Sequence, residues 1–292
     1  MRSLLFVPGD SERKLAKGLE AGADILILDL EDSVSSENKV AARKTAADFI
    51  IAHRDGAQSR FYVRVNDLST GLTDGDLAGV VAARPAGIML PKANSSADVS
   101  QLSAMLRVHE AVHGLDDGGI RIIPIVSETA QAVLAAQSYT HADPRLAGMT
   151  WGAEDLSAAI GARAARDAAG RYTDVFRLAR TLTILAASSA GIAAVDTVFT
   201  NFRDEAALKL ECEEAERDGF TAKMAIHPAQ VPVINAVFTP SPEAIERSRL
   251  IVRTFAEAGN PGVIGIDGKM YDRPHLRLAE RLLERAKAAG AA

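Results

Sequence analysis

Short apolar runs alternate with longer segments of helical periodicity along the whole chain of 292 residues. The apolar runs predict eight β-strands, at 3–8, 24–30, 60–65, 87–92, 120–126, 146–151, 192–198 and 222–227. The segments between them predict helices at 11–21, 37–53, 98–113, 128–138, 175–190, 203–218 and 228–237. This alternation is typical of a parallel sheet. Eight such units in one chain predict a (β/α)₈ barrel, the TIM-barrel fold.

An open, doubly wound sheet is the alternative that the same alternation allows. Such sheets usually carry a Gly-rich phosphate-binding loop after the first strand. Here the first strand is followed by the segment PGDSERK, which contains a single glycine, Gly9. The sequence therefore favours the barrel.

The pattern changes after residue 240. Residues 242–258 predict a further amphipathic helix, the segment GNPG interrupts the chain, VIGI predicts a short strand, and 274–289 predict a basic terminal helix. A barrel does not need these elements, because all eight strands precede them. We therefore assign residues 1–240 to a catalytic barrel domain. Residues 241–292 form a C-terminal helical lid extension that covers a site or packs on a neighbouring subunit.

Composition and charge exclude several function classes. The net charge of −5 argues against a nucleic-acid partner, because neutralising phosphates needs a basic face. The single cysteine, Cys212, excludes an internal disulfide and fits a reducing compartment. No apolar run approaches the ~18 residues of a membrane span, and the N-terminus lacks the features of a signal peptide. These observations predict a cytoplasmic protein without a membrane partner.

Charged side chains concentrate where the predicted strands end. Active sites of such barrels lie at the carboxyl ends of the strands. The residues found there are Asp29, Glu31, Asp32, Arg64, Lys92, Glu128, Glu154, Asp155, Asp196 and His227. Hard cations such as Mg²⁺ bind one or two carboxylates and fill their other positions with water and substrate. Carboxylates beside two cations therefore predict a divalent-cation site with anion-binding neighbours.

Several of these residues also suit a structural role, as helix caps or as members of salt bridges. Glu128 and Asp155 end adjacent strands and can face one ion, although the pattern alone does not distinguish them from other carboxylate pairs. Asp155 and Asp32 can instead cap the helices that follow them. Arg64 suits a carboxylate or enolate oxygen. It can also form a salt bridge to the acidic residues 29–32, and both roles can hold at once.

Lys92 and His227 also have both a functional and a structural interpretation. Lys92 suits a phosphate or carboxylate contact, or a surface ion pair. His227 suits a base or a metal ligand, or a packed and hydrogen-bonded residue. Trp151 and Met149 are expected in the barrel core.

Motifs at these positions resemble a known family. The segments LLFVPGDSERKLAKGLEAGADILILDLEDSV, YVRVN, MLPK, SETA, WGAEDL, AAVDTVF, AIHPAQ and IDGKMYDRPHLRLAERLL follow one another along nearly the whole chain. They resemble the citrate lyase β-subunit-like proteins, grouped with malyl-CoA and citramalyl-CoA lyases in the HpcH/HpaI aldolase superfamily. The resemblance implies a (β/α)₈ barrel that binds Mg²⁺ and forms a homo-oligomer, a trimer or hexamer.

The resemblance also implies roles for individual residues. Glu128 and Asp155 match the Mg²⁺ ligands, and Arg64 matches the arginine that contacts the substrate carbonyl and the enolate. Asp272 matches an acid/base aspartate on a lid that serves the site of a neighbouring subunit. Arg13 and Lys92 are expected to contact phosphates or the substrate carboxylate. The expected substrate-binding set is Arg13, Asp29, Glu31, Arg64 and Lys92.

The implied reaction cleaves or forms a 3-hydroxyacyl-CoA thioester such as malyl-CoA or citramalyl-CoA, with acetyl-CoA and a small 2-oxo acid as the other partners. One alternative is a thioesterase or a malate-synthase-like enzyme, in which thioester hydrolysis follows the same enolate chemistry. A second is a citrate lyase β subunit that acts on a citryl thioester of an acyl-carrier protein. A third is a binding protein without activity.

Overall fold

Eight parallel strands form one sheet in the computed structural model, which describes residues 1–140 and 143–291. The strands are β1 (Ser3–Pro8), β2 (Ile25–Asp29), β3 (Arg60–Arg64), β4 (Gly87–Leu90), β5 (Arg121–Pro124), β6 (Gly148–Thr150), β7 (Ala193–Asp196) and β8 (Ala222–Ala225). Their order is β5-β4-β3-β2-β1-β8-β7-β6. Parallel bridges from Ile122 to Leu146 and from Ile125 to Thr150 join β5 to β6. The sheet therefore closes into the predicted barrel, and the open-sheet alternative is wrong.

The helices follow the predicted segments with shifted ends. They are α1 (Glu12–Leu19), α2 (Lys39–His53), α3 (Thr73–Val80), α4 (Ser96–Val112), α5 (Ala130–Leu134), α6 (Ala153–Ile160), α7 (Asp174–Ala190), α8 (Glu205–Asp218), α9 (Gln230–Phe238), α10 (Pro242–Glu257) and α11 (Arg273–Ala288). The segment 128–138 is helical only in the five residues of α5, which a 3₁₀ turn follows. Within the described ranges, no helix has both the length and the apolar character needed to cross a bilayer.

Helix α3 was not predicted, and α6 was implied only as the helix that would follow Asp155, which in fact lies in its first turn. The α3 sequence contains Gly75 and Gly79, and glycine disfavours a helix interior. A tertiary contact holds this helix, because the buried Asp76 carboxylate accepts hydrogen bonds from Asn66 N (2.7 Å) and Arg43 Nε (2.8 Å). The buried ion pair therefore stabilises a helix that its local sequence disfavours, and the sequence alone does not reveal this pair.

Strand alternation divides the core into an inner and an outer layer. The inward-facing cluster fills the barrel with Leu4, Ile25, Ile27, Tyr62, Met89, Ile123, Ile125, Val195, Ala222 and Met224. Gly87 makes room for the Tyr62 ring, since a Cβ at Gly87 would lie 2.1 Å from it. Trp151 and Met149 are wholly buried, as expected. They belong to the outer layer, between the sheet and the helices, rather than to the barrel interior.

The C-terminal extension has its own small core. An antiparallel hairpin of β9 (Val263–Ile266) and β10 (Lys269–Asp272) lies between α10 and α11, and β10 was not predicted. The apolar cluster of this region consists of Ile251, Phe255, Ile264, Ile266, Leu276 and Ala279. The end of α11 reaches the barrel, where Arg285 Nη2 lies 3.1 Å from Glu216 Oε1. The division at residue 240 stays a prediction, and residue 292 lies outside the described chain.

Candidate functional site

Asp29 and Arg64 form an ion pair at the mouth of the barrel. They are register partners at the carboxyl ends of β2 and β3. Arg64 Nε and Nη2 donate to the two carboxylate oxygens of Asp29, both at 2.7 Å. Arg64 Nη1 lies 2.9 Å from Glu31 Oε2 without hydrogen-bond geometry, and the guanidinium lies 4.8 Å from the centre of the Phe6 ring. The salt bridge expected as an alternative role of Arg64 is therefore present.

The two carboxylates beside Arg64 have opposite pKa shifts. Burial alone would raise the pKa of Asp29, but the hydrogen bonds and charge of Arg64 outweigh it and hold this pKa below its ordinary value. For Glu31, burial outweighs the charges of Arg64 and Lys92, so its pKa lies above the ordinary value. Asp29 is thus the fixed counter-ion of Arg64, whereas Glu31 holds its charge less firmly.

Lys92 lies at the centre of the acidic cluster. Its ammonium contacts Glu31 Oε1 and lies 3.6 Å from Asp32 Oδ2 and 3.7 Å from Asp155 Oδ1. Its backbone N–H donates to Glu128 Oε2. The backbone of Lys92 is left-handed, with φ of 51°, which costs about 1–3 kcal/mol for a residue with a side chain. The contacts that the backbone N–H and the ammonium of Lys92 make with carboxylates offset that cost.

Glu128 and Asp155 come together at the ends of β5 and β6. Glu128 is only 3% exposed and packs on Gly152, where a Cβ would lie 2.8 Å from Glu128 Cγ. Asp155 lies in the first turn of α6, which begins directly after Gly152. Burial, followed by the charge of Asp155, raises the pKa of Glu128 well above its ordinary value. The two carboxylates of the predicted pair therefore lie close enough for the charge of Asp155 to affect the ionisation of Glu128, with Lys92 beside both.

The chemistry of this cluster fits Mg²⁺. Five carboxylates surround two cations, and the members are Asp29, Glu31, Asp32, Glu128, Asp155, Arg64 and Lys92. Across residues 1–140 and 143–291, no group of three or more His, Cys, Asp or Glu side chains is arranged around one point. Two carboxylates with free positions suit Mg²⁺, which keeps water and substrate oxygens as ligands. Glu128 and Asp155 are the residues that would hold it.

Two predicted site residues lie apart from this cluster. Arg13 is exposed in the first turn of α1, directly after β1, and so lies at the carboxyl end of the barrel. Asp272 starts α11, where its carboxylate caps the helix by accepting from His275 N at 3.4 Å. Among the described residues, His275 is the only hydrogen-bond partner of that carboxylate. Within the described part of the chain, the Asp272 carboxylate therefore forms no hydrogen bond or ion pair with a residue of this cluster.

Two other strand-end candidates, Asp196 and His227, are held by structural contacts. Asp196 points outward, toward the helices, and pairs with Lys223 at 2.8 Å. The expectation that it belongs to the strand-end cation site was wrong, because successive strand residues face opposite sides of the sheet. His227 stacks on Phe202 with ring centres 4.6 Å apart, and its Nδ1 accepts from Ala229 N at 3.2 Å. His227 therefore has the structural role of a packed and hydrogen-bonded residue, the second of its two interpretations.

Sequence reasoning missed two contributors to the site, Phe6 and Gly152. Phe6 lies under the guanidinium of Arg64, and its inward position on β1 follows from strand alternation. Gly152 leaves space for Glu128, and the signal was a glycine between a strand and an acidic helix start. Both supply shape rather than charge, and a pattern of charged strand ends does not identify such residues.

Known proteins match this chain in sequence and fold. The family model described as HpcH/HpaI aldolase/citrate lyase matches residues 2–228. A (3S)-malyl-CoA thioesterase from Cereibacter sphaeroides (strain KD131) is 35% identical over 294 residues, covering 99% of this chain and 96% of the relative. A mitochondrial citramalyl-CoA lyase from Rattus norvegicus is 32% identical over 298 residues, covering 97% and 85%. These alignments extend through the C-terminal extension.

A solved structure matches over the same length. The protein CitE from Mycobacterium tuberculosis, in complex with magnesium, acetoacetate and coenzyme A, superposes with a TM-score of 0.76. It is 34% identical, and the superposition covers 98% of each chain. The barrel with its extension is therefore shared with a protein that binds magnesium.

Proposed function

The chain belongs to the HpcH/HpaI aldolase/citrate lyase family, and on that premise we propose that it is a Mg²⁺-dependent carbon–carbon lyase. The proposed substrate is a 3-hydroxyacyl-CoA thioester such as malyl-CoA or citramalyl-CoA, which the enzyme cleaves to acetyl-CoA and a 2-oxo acid, or forms from them. The observation that carries the proposal is the convergence of Arg64, Glu128 and Asp155 on one barrel mouth. The relatives named for malyl-CoA and citramalyl-CoA support the substrate class.

Glu128 and Asp155 are the proposed metal ligands. When bound, Mg²⁺ supplies a Lewis acid for the substrate oxygen that becomes the carbonyl of the 2-oxo acid. Two protein carboxylates leave room for substrate oxygens beside them. The magnesium in the M. tuberculosis relative supports this assignment.

Arg64 is the proposed donor to the thioester oxygen, on which negative charge develops as the carbon–carbon bond breaks. Asp29 and Glu31 fix the guanidinium plane, so its orientation is set before substrate binds. A donor of this kind is worth roughly 3–4 kcal/mol of transition-state stabilisation. Lys92 and Arg13 are proposed to contact the substrate carboxylate and the phosphates of coenzyme A.

Asp272 is the proposed acid/base. In cleavage the substrate hydroxyl loses its proton as the carbon–carbon bond breaks, and Asp272 gives a proton to the enolate carbon; in synthesis both proton transfers are reversed. In the partly exposed position that Asp272 has in this chain, the hydrogen bond from His275 lowers its pKa. Exclusion of water would raise it toward the range that proton transfer needs. Because the Asp272 carboxylate pairs with His275 and, among the described residues, with no member of the acidic cluster, we propose that it serves the site of a second copy in a homo-oligomer, a trimer or hexamer.

A thioesterase is the second candidate function. The 35% identical relative named (3S)-malyl-CoA thioesterase favours it. Hydrolysis of malyl-CoA releases malate and free coenzyme A. A citrate lyase β subunit, the third candidate, would act on a citryl thioester of an acyl-carrier protein.

The test is a panel of 3-hydroxyacyl-CoA thioesters incubated with the purified chain and Mg²⁺, with products identified by mass spectrometry. A lyase releases acetyl-CoA and a 2-oxo acid in equal amounts, whereas a thioesterase releases free coenzyme A and a hydroxy acid. Turnover only of a carrier-protein thioester identifies the β-subunit function. Chelation, or the substitutions Glu128→Ala and Asp155→Ala, should abolish the activity while the protein stays folded. No turnover with any thioester contradicts the proposal.

A further inference from the structure

A buried ionic cluster lies on the outer side of strands β6, β7 and β8, between the sheet and the helices α7 and α8. Asp196 and Lys223 are both wholly buried and pair at 2.8 Å. Lys223 also bonds Glu211 Oε1 on α8 at 2.9 Å, and Arg180 Nε on α7 lies 3.4 Å from Asp196 Oδ1. These side chains point away from the barrel interior, so the cluster is separate from the acidic groups of the mouth.

Trp151 joins this cluster to the end of β6. Its indole N–H donates to Asp196 Oδ1 at 2.8 Å. Its ring packs edge-on against Tyr172 at 5.0 Å, and Arg166 covers the other side of Tyr172 at 3.7 Å from the ring centre. Trp151 is wholly buried and is the only tryptophan of the chain. The indole is thus held by a hydrogen bond and by aromatic contacts together.

The segment that follows Trp151 forms one side of the proposed metal site. The next residue, Gly152, donates its N–H to Ser127 Oγ at 3.3 Å and packs on the Glu128 side chain. Asp155 follows in the first turn of α6. Among the described residues, no side chain caps this helix at Gly152, so its start is held by the hydrogen bond to Ser127 and by the residue that precedes it. The position of Asp155 therefore depends in part on what fixes residue 151.

We propose that Trp151, held by Asp196, is a positioning residue that keeps Asp155 beside Glu128 for the cation. This inference rests on the proposed Mg²⁺ site. The two carboxylates repel each other before the cation binds, so a flexible α6 start would move Asp155 away. The indole–carboxylate hydrogen bond prevents that movement, because its acceptor is itself fixed by Lys223 and Arg180. Partners of this kind behind metal ligands are typically worth 10–100-fold in metal affinity.

The first test is Trp151→Phe, which keeps an aromatic ring against Tyr172 and removes the N–H donor. Calorimetric titration with Mg²⁺ should give a Kd about tenfold higher than that of the wild type. The single tryptophan also allows replacement by its benzothiophene analogue, in which sulfur takes the place of the N–H. That protein keeps the shape of the residue, so it should have the same weakened Kd even if the phenylalanine variant folds poorly.

The matched control is Arg145→Lys. Arg145 pairs with Glu110 at 2.5 Å in another buried ion pair, located where β5 and β6 begin. This variant should lower the thermal midpoint and leave the Mg²⁺ Kd unchanged. A general loss of stability would instead weaken Mg²⁺ binding in both variants, and that result overturns the inference.

A double-mutant comparison tests whether Asp196 acts through the indole. Asp196→Asn should weaken Mg²⁺ binding less in the Trp151→Phe background than in the wild type, because the shared hydrogen bond is already gone. Fully additive losses overturn the inference, as does a wild-type Kd in the benzothiophene protein. If the wild type itself binds no Mg²⁺, the proposed metal site falls together with the inference. If the wild type binds Mg²⁺ and the variants have the same Kd, the proposed metal site stands and only the inference is overturned.

Discussion

The Glu128 carboxyl group is buried at the mouth and faces the charge of Asp155. Both effects favour its protonated form, so its pKa in the folded protein lies above the unfolded value. The folded state then binds more protons than the unfolded state between these two pKa values. The stability of the metal-free protein should therefore fall as the pH rises through that window.

We predict that Glu128→Gln is more stable than the wild type at neutral pH in the presence of a chelator. The substitution removes a buried charge, and each unit of raised pKa corresponds to about 1.4 kcal/mol. For a chain of this size, 1 kcal/mol raises the thermal midpoint by about 2–4 °C. The difference should shrink as the pH falls below the ordinary glutamate range, where Glu128 is protonated in both states. Thermal unfolding across a pH series measures it.

Two controls belong to that experiment. Mg²⁺ should raise the midpoint of the wild type and leave the Glu128→Gln midpoint unchanged, because the variant lacks a ligand. Asp32→Asn removes an exposed carboxylate from the same mouth and should change little. Equal midpoints for wild type and Glu128→Gln at neutral pH would contradict the buried-charge explanation.

Arg64 presents a planar fork whose donors are directed by Asp29. We predict that Arg64→Lys lowers kcat by about 10²–10³-fold, since lysine keeps the charge but loses the fork and one aligned donor. The Mg²⁺ Kd should stay near the wild-type value. Steady-state kinetics and calorimetry measure the two effects, with Arg60→Lys, an exposed arginine at the other end of β3, as the control. Unchanged turnover would make Arg64 only a structural partner of Asp29.

At the scale of elements, Asp272 has a structural role that has to be separated from a catalytic one. Its carboxylate is the N-cap of α11 and lies 2.5 Å from His275 Nδ1. Asparagine caps helices as well as aspartate does, whereas alanine loses the cap at a cost of about 1 kcal/mol. The two substitutions therefore separate helix stability from proton transfer.

We predict that Asp272→Asn and Asp272→Ala both lose most of their turnover, and that only the alanine variant has a lower thermal midpoint. The reason is that both lack an acid/base, but only one lacks the cap. Parallel measurements of kcat and of thermal unfolding check the pair. An asparagine variant with wild-type turnover would restrict Asp272 to capping.

In the whole molecule, the last turns of α11 and the proposed site lie toward opposite ends of the barrel. The last turns of α11 line a cavity of about 500 Å³ with Met1, Ala193 and Thr221, which lie at the amino ends of β1, β7 and β8. The cluster of the proposed site lies at the carboxyl ends. The helix has 16 residues, so it is about 24 Å long. Asp272 lies at the far end of this helix from the cavity, and its carboxylate pairs with His275 rather than with the cluster of the proposed site, which is the basis for expecting it to act on a second copy.

We predict complementation between two inactive proteins. After mixing under conditions that permit subunit exchange, Asp272→Ala and Arg64→Ala chains should regain activity above either parent, because hybrid oligomers contain mouths with both residues intact. The measurement is turnover before and after mixing, with oligomer exchange followed by native mass spectrometry. Mixed Asp272→Ala and Asp272→Asn chains are the control and should stay inactive. Hybrids without activity would mean that the extension acts on its own barrel or that Asp272 is not catalytic.

The barrel, and the edge at which its charged side chains gather, both follow from the sequence pattern. Each strand is a short apolar run, and burial of such runs in alternation with helices follows from local pattern. All eight predicted strands are present, with ends that differ by a few residues. The pair Glu128 and Asp155 could be placed at one edge because the carboxyl ends of parallel strands lie together.

The set of strand-end residues that share the proposed site follows from the folded arrangement of the strands and not from the pattern. Asp196 and Asp29 both end strands, yet one points outward to Lys223 and the other inward to Arg64. The inward or outward direction depends on register, and a shift of one residue reverses it. Pattern alone does not set the register, because neighbouring strands fix it through contacts distant in sequence. For the same reason the hydrogen bond between Trp151 and Asp196, 45 residues apart, appears only in the folded chain.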